Sequence, residues 1–242
     1  MSSTLGCIGL GVTDESVLAS LIDRLLPDAT LVAEDQGLTA MRWRDTSGAS
    51  LTLTVRGEEL LDLVPSYVAQ MGVRLGGLAP YGGYVCADVL EHGETVTRIA
   101  CDLAQSLISE APVQVDASVT ALGVEMSLHA DETAFAASDA SILGERVEGT
   151  EPTRYAAESL LAYGLLGKPE EAEPFAFLSG TVLSSMTQTN AATGQTFHAV
   201  RVRTVGFTAT VCLSSAEHPI APEPGNVIAG TCYLVLDVPT LW

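Results

Sequence analysis

Basic residues are scarce in this chain of 242 residues. Lysine and arginine total 11 against 30 aspartates and glutamates, and the formal charge is −19. Lys168 is the sole lysine. A surface of this sign repels phosphate backbones, which argues against general nucleic-acid binding by the acidic part of the chain. The histidines are His92, His129, His198 and His218, and they form no HxH, HExxH or Cys/His cluster. No metal and no cofactor is therefore expected. GxSxG is absent, so no nucleophile elbow is expected. The cysteines form no CxxC. No apolar run reaches the ~18 residues of a membrane span, and no basic segment leads into an apolar one at the N-terminus. These absences give the expectation of a cytoplasmic protein with reduced thiols and no membrane contact.

What is present suffices for a core: 47% of the residues are hydrophobic, chiefly leucine, valine and alanine, and this excludes disorder. The charge is uneven. Residues 174–242 set Arg201 and Arg203 against Glu217, Glu223 and Asp237, so nearly all the surplus acid lies before them. That tail is also the most β-patterned part. Thr196 to Leu213 is rich in Thr, Val, Phe and Arg, which fit a pleated, half-buried surface. Alternation puts Phe197, Ala199, Arg201, Arg203, Val205 and Phe207 on one face, and a bend at Gly206 would flip Phe207 to the other. Gly206 reads as a bend or bulge. Phe177–Ser185 reads as the preceding strand, joined by a turn at 190–194. A proline-rich loop at 218–226 leads to a last strand at Val227–Val238. On strand order and glycine placement this third resembles an OB-fold-type barrel. The resemblance implies a small curled sheet and carries over no functional residue.

The front of the chain alternates hairpin and helix signals. Leu5–Val12 reads as a short buried strand, followed by a helix capped by Thr13 and stopped by Pro27. Gly6, Gly9 and Gly11 between them are spaced GxxGxG rather than GxGxxG, and Asp14 and Glu15 would repel a phosphate. Leu38–Arg44 and Ser50–Val55 form a hairpin around Asp45-Thr46-Ser47-Gly48. Glu58–Met71 reads as a helix disturbed at Pro65. Residues 76–84 hold four glycines, Pro80, Tyr81 and Tyr84 and read as an irregular loop. A second hairpin, Tyr84–Leu90 with Glu94–Cys101, turns at Glu91-His92-Gly93. Val113–His129 alternates as a half-exposed strand. Thr153–Leu166 reads as a helix, and 167–174 as a linker.

The fold class expected is α+β: an acidic region of β-hairpins and helices (1–166), a linker (167–174), and a small all-β barrel-like module (175–242). Function is less determined. The leading expectation is a non-enzymatic binding or protein-interaction protein whose partner is another protein, basic or a second copy. Its recognition residues would be Tyr81 and Tyr84 in the glycine-rich stretch, and Phe197, Arg201 and Arg203 on the tail sheet. An alternative is a small-molecule enzyme working between the regions, with Asp88, Glu91, His92 and His129 as acid–base candidates. Ser127 lies two residues from His129, and the ~6.6 Å rise between i and i+2 argues against a hydrogen bond between them. A third reading is single-stranded nucleic-acid binding by the tail, where aromatic rings and arginines share a face.

Overall fold

The structure, a computed structural model, describes residues 4–105, 113–144, 150–166, 168 and 173–239. Strands dominate it, and this overturns the α+β expectation. The strands are β1 (Thr30–Asp35), β2 (Leu38–Arg44), β3 (Ala49–Arg56), β4 (Glu59–Tyr67), β5 (Val73–Tyr81), β6 (Tyr84–Glu91) and β7 (Glu94–Leu103). They continue with β8 (Gln114–His129), β9 (Ser159–Ala162), β10 (Phe175–Thr189), β11 (Thr196–Thr204), β12 (Phe207–Ser214) and β13 (Val227–Asp237). Helices are short: α1 (Glu15–Leu25), α2 (Glu132–Ala137) and a few single turns. No described helix is long and apolar enough to cross a membrane.

Local chemistry explains the elements that the sequence signals well. At the β2–β3 turn the Asp45 carboxylate accepts from the Ser47 amide at 2.8 Å, and Gly48 takes φ +91°. At the β6–β7 turn His92 and Gly93 both take positive φ. Such turns match the twist of the strands they join. Asp14, not Thr13, caps α1, accepting from the amides of Ser16 and Val17 at 3.0 Å each. The Ser16 hydroxyl and the Val17 amide hold that carboxyl down at about 2.

The expected helices fail where partners decide. Glu58–Met71 is mostly β4, paired along its length with β3. Its Pro65 is tolerated because β4 is an edge strand. The expected helix at 153–166 contains β9, which pairs with β10 at 159–162. The glycine-rich stretch is no loop: Gly76 to Tyr81 belong to β5, a bulge at Gly76/Ala79 absorbs the extra residues, and only Gly82-Gly83 turn. Leu5–Val12 is buried but forms a single 3-10 turn closed by Gly9 at φ +71°. The run 196–213 is two strands, since Gly206 lies in a hairpin turn between β11 and β12.

β1 to β4 make an antiparallel four-stranded sheet; β5 to β13 make a nine-stranded one. The centre of the large sheet is the long β8–β13 ladder, from Val227↔His129 to Asp237↔Ser118. From it two closed rings grow, each completed by the same two strands. One runs β8, β5, β6, β7, β13; the other runs β8, β12, β11, β10, β13. A single apolar cluster fills both, from Leu75, Val89 and Ile99 to Val200, Val211 and Leu234. The C-terminal strands therefore do not close on themselves. They need β8, and they share their core with residues 73–121. Of the expected linker, only Lys168, Glu173 and Pro174 are among the described residues. A second cluster lies outside the large sheet, where the four-stranded sheet, α1 and the N-terminal turn cover Leu122, Phe197, Cys212 and Val235.

Candidate functional site

The row expected on β11 is divided by the small sheet. Phe197 is fully buried, and its ring meets Tyr67 edge-on at 6.0 Å. It is core. Arg201, four residues on, has passed from beneath that cover and hydrogen-bonds the Gln70 amide oxygen. Arg203 pairs with Glu158 at 2.8 Å, and Glu158 also accepts from Thr181. Burial alone would raise the Glu158 carboxyl, but these two partners bring it below its usual value.

The acid–base candidates are not gathered. Asp88 on β6 pairs with Arg98 on β7 at 2.7 Å. Glu91 and His92 turn out at the hairpin tip. His129 ends β8, packed edge-on against Phe135 at 5.3 Å, and burial lowers its imidazole. The Ser127 hydroxyl does lie 2.9 Å from His129 Nε2, contrary to the spacing argument, because side chains span what the backbone rise does not. That hydroxyl also donates to the Ala229 carbonyl at 3.0 Å. The Ala229 carbonyl and His129 Nε2 therefore compete for the one hydroxyl proton. Among the described residues no three His, Cys, Asp or Glu side chains are grouped as a metal would need.

Tyr81 and Tyr84 face each other across the β5–β6 turn. Tyr84 belongs to a cluster with no local sequence signal. The Tyr233 hydroxyl donates to Asp102 at 2.7 Å, and the Tyr233 ring stands edge-on to Phe175 at 5.3 Å. Burial raises the Asp102 carboxyl, opposed by the bonds from Tyr233 and the Leu103 amide. Burial, then Asp102, Glu173 and Asp62, raise the Tyr84 phenol.

Of several surface openings, one is a cleft of about 390 Å³, lined by Tyr67, Val68, Ala69, Gln70, Ser184, Met186, Ala199, Arg201 and Thr210. Its floor is the outer face of β10, β11 and β12, where Ser184, Arg201 and Thr210 stand in register. One wall is the strap 67–71 that leaves β4. The strap's Val68 and Met71 are exposed, as is Met186 on the floor. The lining includes no carboxylate, although the chain carries 30. Arg201 is its one charged side chain, and among the described residues no acid pairs with it. Of the residues singled out from sequence, Arg201 alone lines this cleft. The strap was hidden by the helix expected there. Compared with protein-family models, curated proteins and solved structures, the chain matches none.

Proposed function

We propose that this is a non-enzymatic binding protein that engages another protein through the cleft between the 67–71 strap and the outer face of β10–β12. The observation that carries this reading is the cleft's chemistry. Exposed Val68 and Met186 stand beside a half-buried arginine that has no carboxylate partner among the described residues, on a strongly acidic molecule. Apolar groups clustered in this way mark interaction surfaces, and arginine is enriched where such surfaces bind. The candidate acid–base groups are held in internal pairs or turned out singly, which leaves the enzyme reading without convergent groups. The nucleic-acid reading lacks a stacking row, because Phe197 is core and Arg203 is bound to Glu158. A cytoplasmic setting fits five unbridged cysteines, four of them buried.

The test is capture by the immobilised wild-type protein and by Met186→Asp, with the retained protein identified and its affinity then measured in purified form. A partner that binds the wild type and is lost with Met186→Asp, at unchanged melting temperature, supports the reading. Partners that bind both proteins equally, or robust turnover in a substrate panel, would overturn it.

A further inference from the structure

We infer that the occupant of this cleft is an extended, carboxylate-bearing peptide segment of another protein, which adds as a strand to the unpaired edge of β10. This inference rests on the cleft being the binding site and deepens that reading.

β10 is paired on both sides only up to Thr181. There it meets Val227 of β13 on one side and Arg203 of β11 on the other. At Val182 the second side is still capped: its amide donates to the Asn226 carbonyl and its carbonyl accepts from the Gly225 amide, both at 2.9 Å. From Ser184 to Thr189 the strand has β11 alone. Which groups face the open side follows from the hairpin end. The Asn190 amide donates across to the Gln195 carbonyl at 2.9 Å. In an antiparallel ladder bonded and non-bonded pairs alternate. Gln188 and Met186 therefore bond β11, while Thr189, Thr187 and Ser185 turn N–H and C=O outward. Among the described residues nothing bonds those outward groups.

Both edges of the four-stranded sheet and the β9 edge are protected. β1 carries Glu34, Asp35 and a bulge at Leu31/Ala33. β4 carries Glu59, Asp62 and Pro65, and β9 is four residues long. Charge, proline, bulges and brevity are how proteins prevent edge pairing. Ser184–Thr189 (SSMTQT) has no charge and no proline. Strand addition uses such an edge for affinity and adjoining pockets for specificity. An added strand would lay alternate side chains beside Met186, on the cleft side. The residue opposite Ser184 would lie two strand spacings, ~9.6 Å, from the Arg201 backbone. An arginine and a glutamate side chain span that distance between them.

A second copy fits less well as the occupant. Its own β10 edge would bring no acid to Arg201, and each copy adds a charge of −19.

The test is selection from a display library of random linear peptides against the full chain, counter-selected on Met186→Asp. The expected winners alternate apolar residues and carry an acid. A synthetic winner should lose at least ~tenfold in affinity on Arg201→Gln, the cost of one charge-assisted bond, and part should return with Arg201→Lys. Ser185→Pro removes an outward N–H and spares the β10–β11 ladder, so it should lose about as much. A winner N-methylated at alternate amides tests the same bond without altering the protein. Loss with Met186→Asp but not with Ser185→Pro or N-methylation would leave the cleft as the site and overturn strand addition. Failure to enrich any Met186-dependent peptide also overturns it, while the capture experiment judges the cleft separately. Sedimentation that shows concentration-dependent dimers abolished by Ser185→Pro would assign the edge to a second copy and overturn the peptide.

Discussion

Two arginines bridge the small sheet and the large one, and they are treated in opposite ways. Arg42 on β2 is almost wholly buried. It reaches Ser50 Oγ at 2.7 Å and Asp237 at 3.1 Å, and Gln105 bonds the other oxygen of Asp237 at 2.7 Å. Burial pushes its guanidinium below the usual value, against the pull of Asp237. Arg201 on β11 bridges to the strap and holds a neutral amide at the rim of the cleft. A buried charge needs a counter-charge within the chain. An arginine at a rim is solvated and can do without one. The first belongs to folding, and the second is open to a partner's carboxylate.

That contrast is broken most severely at Arg42. Arg42→Met takes the guanidinium away from Asp237, whose side chain is only 13% exposed, and removing one member of a buried pair costs ~3–5 kcal/mol. Urea unfolding should show that loss, and Arg42→Met with Asp237→Leu should recover much of it, since an apolar replacement for the whole pair is often neutral. A single variant as stable as the wild type would place Arg42 among the ornamental charges.

The Asp102–Tyr233 bond joins β7 to β13 where one ring closes, and it is the next largest expectation. Tyr233→Phe should cost ~1–3 kcal/mol, because the partly buried Asp102 loses its phenol donor. The pH dependence follows from the direction of the Asp102 shift. A carboxyl raised in the folded state contributes stability that is fully present below its unfolded value and is lost as pH rises through the folded one. Asp102→Asn keeps an acceptor for Tyr233 and removes the ionisation. It should match the wild type at low pH and gain on it as the pH rises above the ordinary aspartate value. Melting temperatures followed over that rise decide the matter, and parallel curves would mean that Asp102 titrates normally.

How much of this was legible in the sequence depends on how far each partner lies along the chain. The turns at 45–48 and 92–93 are written in residues that prefer positive φ or bond their own backbone, so β2–β3 and β6–β7 can be read locally. The alternation of 113–129 reveals β8. β4 and β9 cannot be read so, because β3 and β10 decide them, and isolated propensity is a weak prior against such pairing. Nothing near β8 announces that β13, over a hundred residues later, completes both rings. The same limit governs the site. Arg201 was visible in a row of alternating side chains, but that row runs from under Tyr67 into the open, so Phe197 and Arg201 have different fates. The unpaired edge is visible only once the end of β13 is known.

At the surface the expected effects shrink. Arg203–Glu158 holds β11 to the segment before β9, yet Arg203 is more than half exposed, with 57% of its side chain in solvent. Exposed pairs contribute little, because solvent and salt screen them. Arg203→Ala should cost correspondingly little and lose most of its effect in high salt.

Arg201→Gln is expected to change stability least, within ~0.5 kcal/mol, as for surface positions free of caps and buried pairs. Its bond to Gln70 is exchanged readily for water, and no described acid loses a partner. The value of the measurement lies in its pairing with binding. A variant that keeps the wild-type melting temperature and loses the selected peptide separates recognition from folding at one side chain. A loss of stability comparable to that of Arg42→Met would mean that the Arg201–Gln70 contact fastens the strap to the barrel wall. In that case the cleft would be a structural joint, and the two arginines would differ only in depth.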